Sequence, residues 1–244
     1  MKKTRHFIKL TLAICCSYYF LCNLAVSADG KPEAGKTKSA ACQGCHGEDG
    51  NSYSPEWPNL ASQHGAYLSK QIKNFRDGIR KNETMNAMAA GLSDQDAEDI
   101  ARYFAGQSLK SQAMDIDSEL LKTGRKIYKG GNAYNGVPAC AGCHGPNGRG
   151  NSLAVFPHVA GQRQTYLVNT LNEFRTGARN NDVNEIMRNI ASRMTENEIN
   201  AVAAYMSSLQ VPSLDANLEP GKKDAQQATT NQTNSNSKES SAGN

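Results

Sequence analysis

The pentapeptide CQGCH at residues 42–46 recurs as CAGCH at residues 140–144, 98 positions further along the chain. Each copy places two thiols three positions apart, with an imidazole directly after the second thiol. Three kinds of site use such a pattern: a redox-active dithiol, half of a four-cysteine zinc site, and a covalent haem attachment site. The surrounding sequence distinguishes between them.

The chain begins with a segment that predicts a secretory signal. MKKTRHFIK carries four Lys or Arg residues, residues 10–26 are mainly apolar, and VSA at 26–28 is a small-residue cleavage site. A retained membrane anchor is the alternative, but the apolar run is short for a spanning helix and is interrupted by polar residues. We expect cleavage before Asp29, removal of residues 1–28, and a mature protein in the periplasm.

Loss of this signal changes the charge and the cysteine inventory. It carries four of the 27 basic residues and none of the 23 acidic ones, so the formal charge falls from +4 to zero. A neutral chain gives no support to a nucleic-acid partner, and we expect at most peripheral membrane association. Three of the seven cysteines also leave, and the remaining four all lie in the two CxxCH copies.

The mature chain is an internal duplication. Two pairs of segments match, WPNLASQHGAYLSKQIKNFRDGIR (57–80) with FPHVAGQRQTYLVNTLNEFRTGAR (156–179) and LSDQDAEDIARYFA (92–105) with MTENEINAVAAYMS (194–207). The shift grows from 98 at the cysteines to 102 near the end, which indicates small insertions in the second copy. We predict units at 29–112 and 113–212. Residues 213–244 are polar with few apolar side chains, which predicts a disordered tail.

Both units are predicted to be helical. Apolar residues fall three and four positions apart at Tyr67, Leu68, Ile72 and Phe75, and at Tyr166, Leu167, Leu171 and Phe174. Thr195 with Glu198 has the capping-box pattern of a helix start, and Ser93 with Asp96 has a weaker version of it. No segment alternates as a strand, and a loop rich in Gly, Asn, Ser and Pro follows each CxxCH. The sequence therefore predicts an all-α protein.

The three uses of the motif differ in their surroundings. A redox dithiol follows a strand of a thioredoxin-like unit, whereas these copies follow a helical segment and a segment rich in Gly, Asn and Pro. A zinc site has its second cysteine pair within a few tens of residues. In c-type haem attachment, the thiols form thioethers and the imidazole binds the iron. Two copies in an exported chain predict two covalent haems, held by Cys42, Cys45 and His46 and by Cys140, Cys143 and His144.

A second iron ligand in each unit has to come from elsewhere. His64 and His158 each align with a residue other than histidine, so we interpret both as solvated polar residues. Met85 and Met187 each lie eight residues before a predicted helix cap, and no other methionines superpose in the repeat. We predict that these two are the second ligands and lie in loops. The remaining methionines are interpreted as flexible core residues, namely Met88, Met114, Met194 and Met206.

Further paired positions suggest supporting roles. The backbone carbonyl of Pro58, and that of Pro157, can accept the second N–H of the ligand histidine and fix its tautomer. Tyr67 and Tyr166 are predicted to be core residues with a hydrogen-bonded hydroxyl. Two aligned pairs of arginines are either partners of haem propionates or exposed charges, namely Arg76 with Arg175 and Arg80 with Arg179.

With these features the chain resembles the dihaem cytochrome c4 family. The resemblance covers nearly all of residues 29–210 and rests on ACQGCHG with ACAGCHG, PNLASQ with PHVAGQ, FRDGIR with FRTGAR, and the methionines before SDQD and TENE. It implies two tandem cytochrome c domains related by a pseudo-twofold, each around one covalent haem. It also implies His/Met ligation by His46 with Met85 and by His144 with Met187. The long polar tail and the short loop before Met85 depart from the family pattern.

The resemblance further implies a periplasmic carrier of single electrons between respiratory-chain proteins. Its partners would be a redox protein as donor and an acceptor such as a haem-copper terminal oxidase. Saturated ligation leaves no open coordination position, which favours a carrier without catalytic residues over an enzyme. Two alternatives remain open: the haem subunit of a periplasmic dehydrogenase complex, and a dihaem peroxidase, in which one iron would lack its methionine.

Overall fold

The structure, a computed structural model, describes residues 30–110 and 116–210. The first unit contains α1 (Pro32–Lys38), α2 (Ala40–His46), α3 (Gly65–Arg76), α4 (Glu83–Ala89) and α5 (Asp94–Ala105). The second contains α6 (Ser118–Gly130), α7 (Ala141–His144), α8 (Gln164–Thr176), a 3-10 turn (Val183–Glu185), α9 (Ile186–Ala191) and α10 (Glu196–Ser208). The predicted signal, the polar tail, the boundary between the units and Met114 lie outside the described residues.

The first and last helices of each unit cross at a glycine. Helix α1 packs on α5 in the first unit, and α6 packs on α10 in the second. A Cβ atom at Gly35 would come within 1.9 Å of the Asp99 carbonyl oxygen, and one at Gly124 within 2.0 Å of the Ala201 carbonyl oxygen. Only a hydrogen atom fits at either position, so glycine is what allows both helix pairs to approach this closely.

The predicted helix starts are confirmed. The side chains of Ser93 and Thr195 accept the backbone N–H groups three residues ahead, and the carboxylates of Asp96 and Glu198 accept the backbone N–H groups of the caps. The expectation that both candidate methionines lie in loops is wrong, because Met85 lies in α4 and Met187 in α9. Both segments are rich in residues that favour helices, such as Met and Ala.

Each unit has its own apolar core. Buried residues of the first are Leu68, Ile100, Ala101, Tyr103 and Phe104. Buried residues of the second include Ile127, Tyr128, Leu167, Leu171, Ile199 and Val202. Throughout 30–110 and 116–210 the β-type pairing is limited to two isolated bridges in the second unit, and no helix there has the length and apolarity needed to cross a membrane. The all-α prediction is confirmed.

Candidate haem sites and the junction between them

The two CxxCH motifs lie on short helices. Cys42, Cys45 and His46 belong to α2, whereas Cys140 is the residue before α7 and Cys143 lies within it. Residues three apart on a helix share one face, so the two thiols of each motif point to the same side. All four thiols are free. Each motif can therefore present both sulfurs to one flat group.

A proline carbonyl holds the imidazole of each motif. The Nδ1 atom of His46 lies 2.9 Å from the carbonyl oxygen of Pro58, and that of His144 lies 2.9 Å from the carbonyl oxygen of Pro157. A carbonyl can only accept, so Nδ1 carries the hydrogen in both rings and Nε2 keeps its lone pair. The predicted role of the two prolines is confirmed. A fixed ring with a free Nε2 lone pair is suited to bind a metal.

Burial favours the neutral form of the histidine and of the first cysteine in each motif. It lowers the pKa of both His46 and His144, and in each case it outweighs the hydrogen bond to the proline, which acts in the opposite direction. Burial also raises the pKa of Cys42, with a further contribution from Cys45, and raises that of Cys140 to about 11. A redox-active dithiol needs a thiol of depressed pKa. The dithiol interpretation is therefore disfavoured.

A shared zinc site is disfavoured as well. Among the residues that the structure describes, no group of three or more His, Cys, Asp or Glu side chains is arranged to bind a metal ion. The two cysteine pairs lie in separate units with separate cores. Each motif thus supplies one histidine and two thiols, the set that covalent haem requires.

The methionines differ in burial. Met85 is partly buried, and Met187 is partly buried and packs against the second core. Met194 and Met206 are core residues, as predicted, whereas Met88 is 42% exposed, so its interpretation as a core residue is wrong. Met88 lies one helical turn beyond Met85 on α4 and is the more exposed of the two.

The two histidines that have no counterpart in the repeat, His64 and His158, lie at the junction, the surface where the two units contact each other. His158 is buried, and its Nδ1 atom lies 3.0 Å from the carbonyl oxygen of Ser62 in the other unit. His64 is partly buried, with Nε2 2.8 Å from the carbonyl oxygen of Arg149. The interpretation as a solvated residue is wrong for His158, which contacts between the units cover, whereas His64 stays partly exposed. A sequence pattern within one unit carries no information about this junction.

Two buried arginines converge at the junction. Arg80 Nη1 lies 3.1 Å and Arg179 Nη2 lies 3.0 Å from the same Gln71 side-chain oxygen. Arg179 also donates to the Tyr67 hydroxyl at 2.9 Å, and Arg80 to the Tyr166 hydroxyl at 3.4 Å, each across the junction. The tyrosine hydroxyls are hydrogen-bonded, as predicted, but to the opposite unit.

The positive charge of these arginines is poorly balanced by the protein. Within residues 30–110 and 116–210, one carboxylate lies within 4.0 Å of these guanidinium groups, that of Glu173, which is 4.0 Å from Arg80 and 43% exposed. Burial raises the pKa of Tyr166, but the charges of Arg80 and Arg179 outweigh it and lower the pKa to about 8. Buried cations need anionic partners. The residues present therefore fit a group that brings carboxylates, as haem does with its propionates. Arg76 is paired with Asp77 and Asp94 at the surface instead.

Two helical units with these motifs define a c-type cytochrome, and the family model described as cytochrome c matches residues 32–108 and 121–210. The chain is 43% identical to the cytochrome c4 of Pseudomonas aeruginosa over 183 residues, which are 75% of this chain and 90% of that protein. The crystal structure of reduced recombinant cytochrome c4 from Pseudomonas stutzeri matches with a TM-score of 0.70 at 43% identity, over 74% of this chain and 100% of that one. The thiosulfate dehydrogenase electron acceptor of Stutzerimonas stutzeri is 36% identical over 191 residues, 76% of this chain and 88% of that protein.

The chain belongs to the cytochrome c family, as a dihaem member of the cytochrome c4 type. It is an electron carrier with two covalently bound haem c groups, one at each CxxCH motif. The resemblance predicted from the sequence is confirmed at this level, as are the two tandem domains.

Proposed function

We propose that this protein carries single electrons in the periplasm, after loss of residues 1–28, from a redox protein donor to a terminal oxidase. When bound, each haem supplies a one-electron iron couple. The proposed attachment residues are Cys42, Cys45, Cys140 and Cys143. The proposed iron ligands are His46 with Met85 in a domain spanning 29–112, and His144 with Met187 in a domain spanning 113–212.

The histidine assignment rests on the two proline-bound imidazoles. Each ring is held at Nδ1 by a carbonyl 2.9 Å away, so its Nε2 lone pair has a fixed direction. The two arrangements repeat at aligned positions of the two units. This is the single observation that carries the proposal, because a chance histidine after CxxC would have no reason to acquire the same partner twice.

The methionine assignment explains why the protein is a carrier. With a histidine and a thioether as its two protein ligands, the iron would have no open position for substrate or peroxide, and its ferrous form would be favoured. Met85 and Met187 are both partly buried ahead of a capped helix, and their position in the repeat supports equal roles. A peroxidase would need one iron without this ligand.

The partner on the donor side is a second question. The relative named thiosulfate dehydrogenase electron acceptor favours a dehydrogenase as electron donor, and it keeps open a role as the haem subunit of a dehydrogenase complex. The two roles differ in where the electrons go next. A free shuttle reaches an oxidase by diffusion, whereas a subunit stays with its dehydrogenase.

The test uses the purified dihaem protein in its reduced form. It is mixed with a haem-copper oxidase and oxygen, and the loss of the ferrous visible spectrum is followed in time. We expect full oxidation by catalytic amounts of oxidase. Co-purification with a dehydrogenase, together with no oxidation by the oxidase, would contradict the shuttle and support the subunit role.

A further inference from the structure

One peptide group links the first histidine ligand to the second unit. The carbonyl of Pro58 accepts the Nδ1–H of His46 at 2.9 Å. The N–H of the same peptide belongs to Asn59 and donates to Oε1 of Gln162 at 2.7 Å, across the junction. The Gln162 amide also donates from Nε2 to the Asn59 carbonyl at 2.9 Å. A single amide of the second unit therefore holds Asn59 at both its backbone groups.

The second unit has the mirror arrangement. The carbonyl of Pro157 accepts the Nδ1–H of His144 at 2.9 Å, and the N–H of that peptide, on His158, donates to Oε1 of Gln63 at 2.9 Å. Nε2 of Gln63 donates to the His158 carbonyl at 2.9 Å. Gln63 and Gln162 occupy the same place in the repeat, as the last residues of PNLASQ and PHVAGQ. The two glutamines thus form a reciprocal, crossed pair.

Both amides have one orientation and little access to water. Oε1 of Gln63 also accepts the N–H of His64 at 3.1 Å, and Oε1 of Gln162 accepts that of Arg163 at 2.9 Å. Every partner of Oε1 is an N–H and the partner of Nε2 is a carbonyl, which fixes the orientation. The side chains are 6% and 7% exposed. Water therefore does not substitute for either bond.

A hydrogen bond at one end of a peptide affects the other end. Accepting the peptide N–H increases the negative charge on the carbonyl oxygen, and bonds in such chains strengthen one another by about 10–30%. A stronger carbonyl acceptor makes the imidazole a more basic ligand. A more basic ligand favours ferric iron and lowers the reduction potential.

We propose that Gln162 lowers the reduction potential of the haem on His46, and that Gln63 lowers that of the haem on His144. Both act as positioning residues through the peptide on the opposite side of the junction. The inference rests on the proposed histidine ligation. It assigns to each unit one residue that tunes the iron of the other.

The test replaces each glutamine by methionine, which has similar length, cannot donate to the carbonyl and accepts an N–H only weakly. Potentials of the dihaem protein are measured by redox titration, with each haem followed through the NMR signals of its own axial ligands. Gln162→Met should favour reduction of the first haem by about two- to fivefold, or about 20–40 mV at 59 mV per tenfold change. The second haem should be unaffected, and Gln63→Met should give the reverse pattern.

Two further variants separate tuning from loosening of the junction. His64→Ala removes a bond of the same kind, to the Arg149 carbonyl, which touches neither ligand peptide; we expect no change in either potential. Gln162→Glu keeps the acceptor, so the potential of the first haem should stay unchanged or fall. It also provides a test if the methionine variant does not fold.

Several outcomes would overturn the proposal. Loosening of the junction admits water, which favours ferric iron and lowers potentials. A lower reduction potential of the first haem in Gln162→Met would therefore contradict the proposal. Equal shifts in the potentials of both haems would contradict it as well. Unchanged potentials, with the NMR signals of both histidine ligands in place, would overturn the tuning role and leave the proposed histidine ligation standing. Absence of those histidine signals from the unmodified protein would overturn the ligation and the inference together.

Discussion

The two units place a methionine at the same position in the repeat with different backbone support. In the first, Asn82 is the N-cap of α4, and its side chain accepts the backbone N–H of Met85 at 2.9 Å. In the second, α9 follows Asn184 and Glu185, which have φ values of 51° and 59° and no side-chain cap. The left-handed conformation costs a non-glycine residue about 1–2 kcal/mol. Spacing along the repeat is thus kept while the local backbone differs.

The crossings of the terminal helices also differ. In the first unit the buried carboxylate of Asp99 binds Lys38 Nζ at 2.9 Å and the backbone N–H of Lys31 at 2.7 Å. In the second unit the aligned residue is Ala201, and the crossing is covered by Tyr128 and Tyr205, whose rings lie 5.4 Å apart. The first crossing depends on charge and the second on apolar packing.

The largest expected effect is loss of one haem. Cys140→Ala should weaken attachment of the second haem and leave the first in place, because each unit has its own core. Intact mass and the pyridine haemochrome spectrum measure this. Cys42→Ala is the matched variant and should spare the second haem. Loss of both haems from either variant would show that the units do not fold independently.

Alanine at Gly35 and Gly124 tests the close helix crossing that both units contain. Gly35→Ala and Gly124→Ala each place a methyl group about 2 Å from a carbonyl oxygen. Each should destabilise its own unit by on the order of 3 kcal/mol, because backbone has to move. Thermal melting followed at the haem bands measures the effect. A loss below about 1 kcal/mol in one unit would mean that its helices can shift apart at little cost.

Acid should destabilise the crossing of α1 and α5 in the first unit by protonating Asp99. The hydrogen bond from Lys38, followed by that from the Lys31 backbone, lowers the pKa of Asp99 to about 2. A lowered pKa means that its stabilisation is complete above about pH 4 and is lost as the pH falls towards 2. Asp99→Asn should reduce the acid dependence of melting in the first unit and leave the second unchanged. An unaltered acid profile would contradict the role of this carboxylate.

The smallest effects concern the methionine segments and have opposite signs. Asn82→Ala should destabilise the first unit by about 1 kcal/mol, because the N-cap of α4 is lost. Glu185→Gly should stabilise the second by about 0.5 kcal/mol, the relief of the left-handed strain less the entropy of glycine. Denaturant unfolding measures both. If Glu185→Gly destabilises the second unit, as Asn82→Ala destabilises the first, the left-handed residues are unstrained.

The sequence alone predicts what lies within one unit. The periodicity of α3 and α8 and the caps at Ser93 and Thr195 are local signals, and they are found as expected. The proline carbonyls follow from the repeat and from the chemistry of a ligand histidine. The helical setting of Met85 was missed because Asn82 was not identified as a cap.

Residues at the junction could not be predicted in the same way. The burial of His158 and the convergence of Arg80 and Arg179 on Gln71 depend on which faces of the units meet. Internal repeats align each residue with its counterpart, not with its partner across the junction. The alignment of Gln63 with Gln162 in the repeat was the one feature of the sequence that pointed to the junction. A buried polar role was not inferred from it.

The most direct test of His/Met ligation in both units is the far-red absorption band of the oxidised protein, which reports sulfur bound to ferric iron. Met85→Ala and Met187→Ala should each remove about half of this band and lower one of the two reduction potentials, because the thioether favours ferrous iron. Met88→Ala, one turn along α4, should change neither. If Met88→Ala removes the band while Met85→Ala spares it, or if Met85→Ala and Met187→Ala both spare it, the ligation proposed here is contradicted.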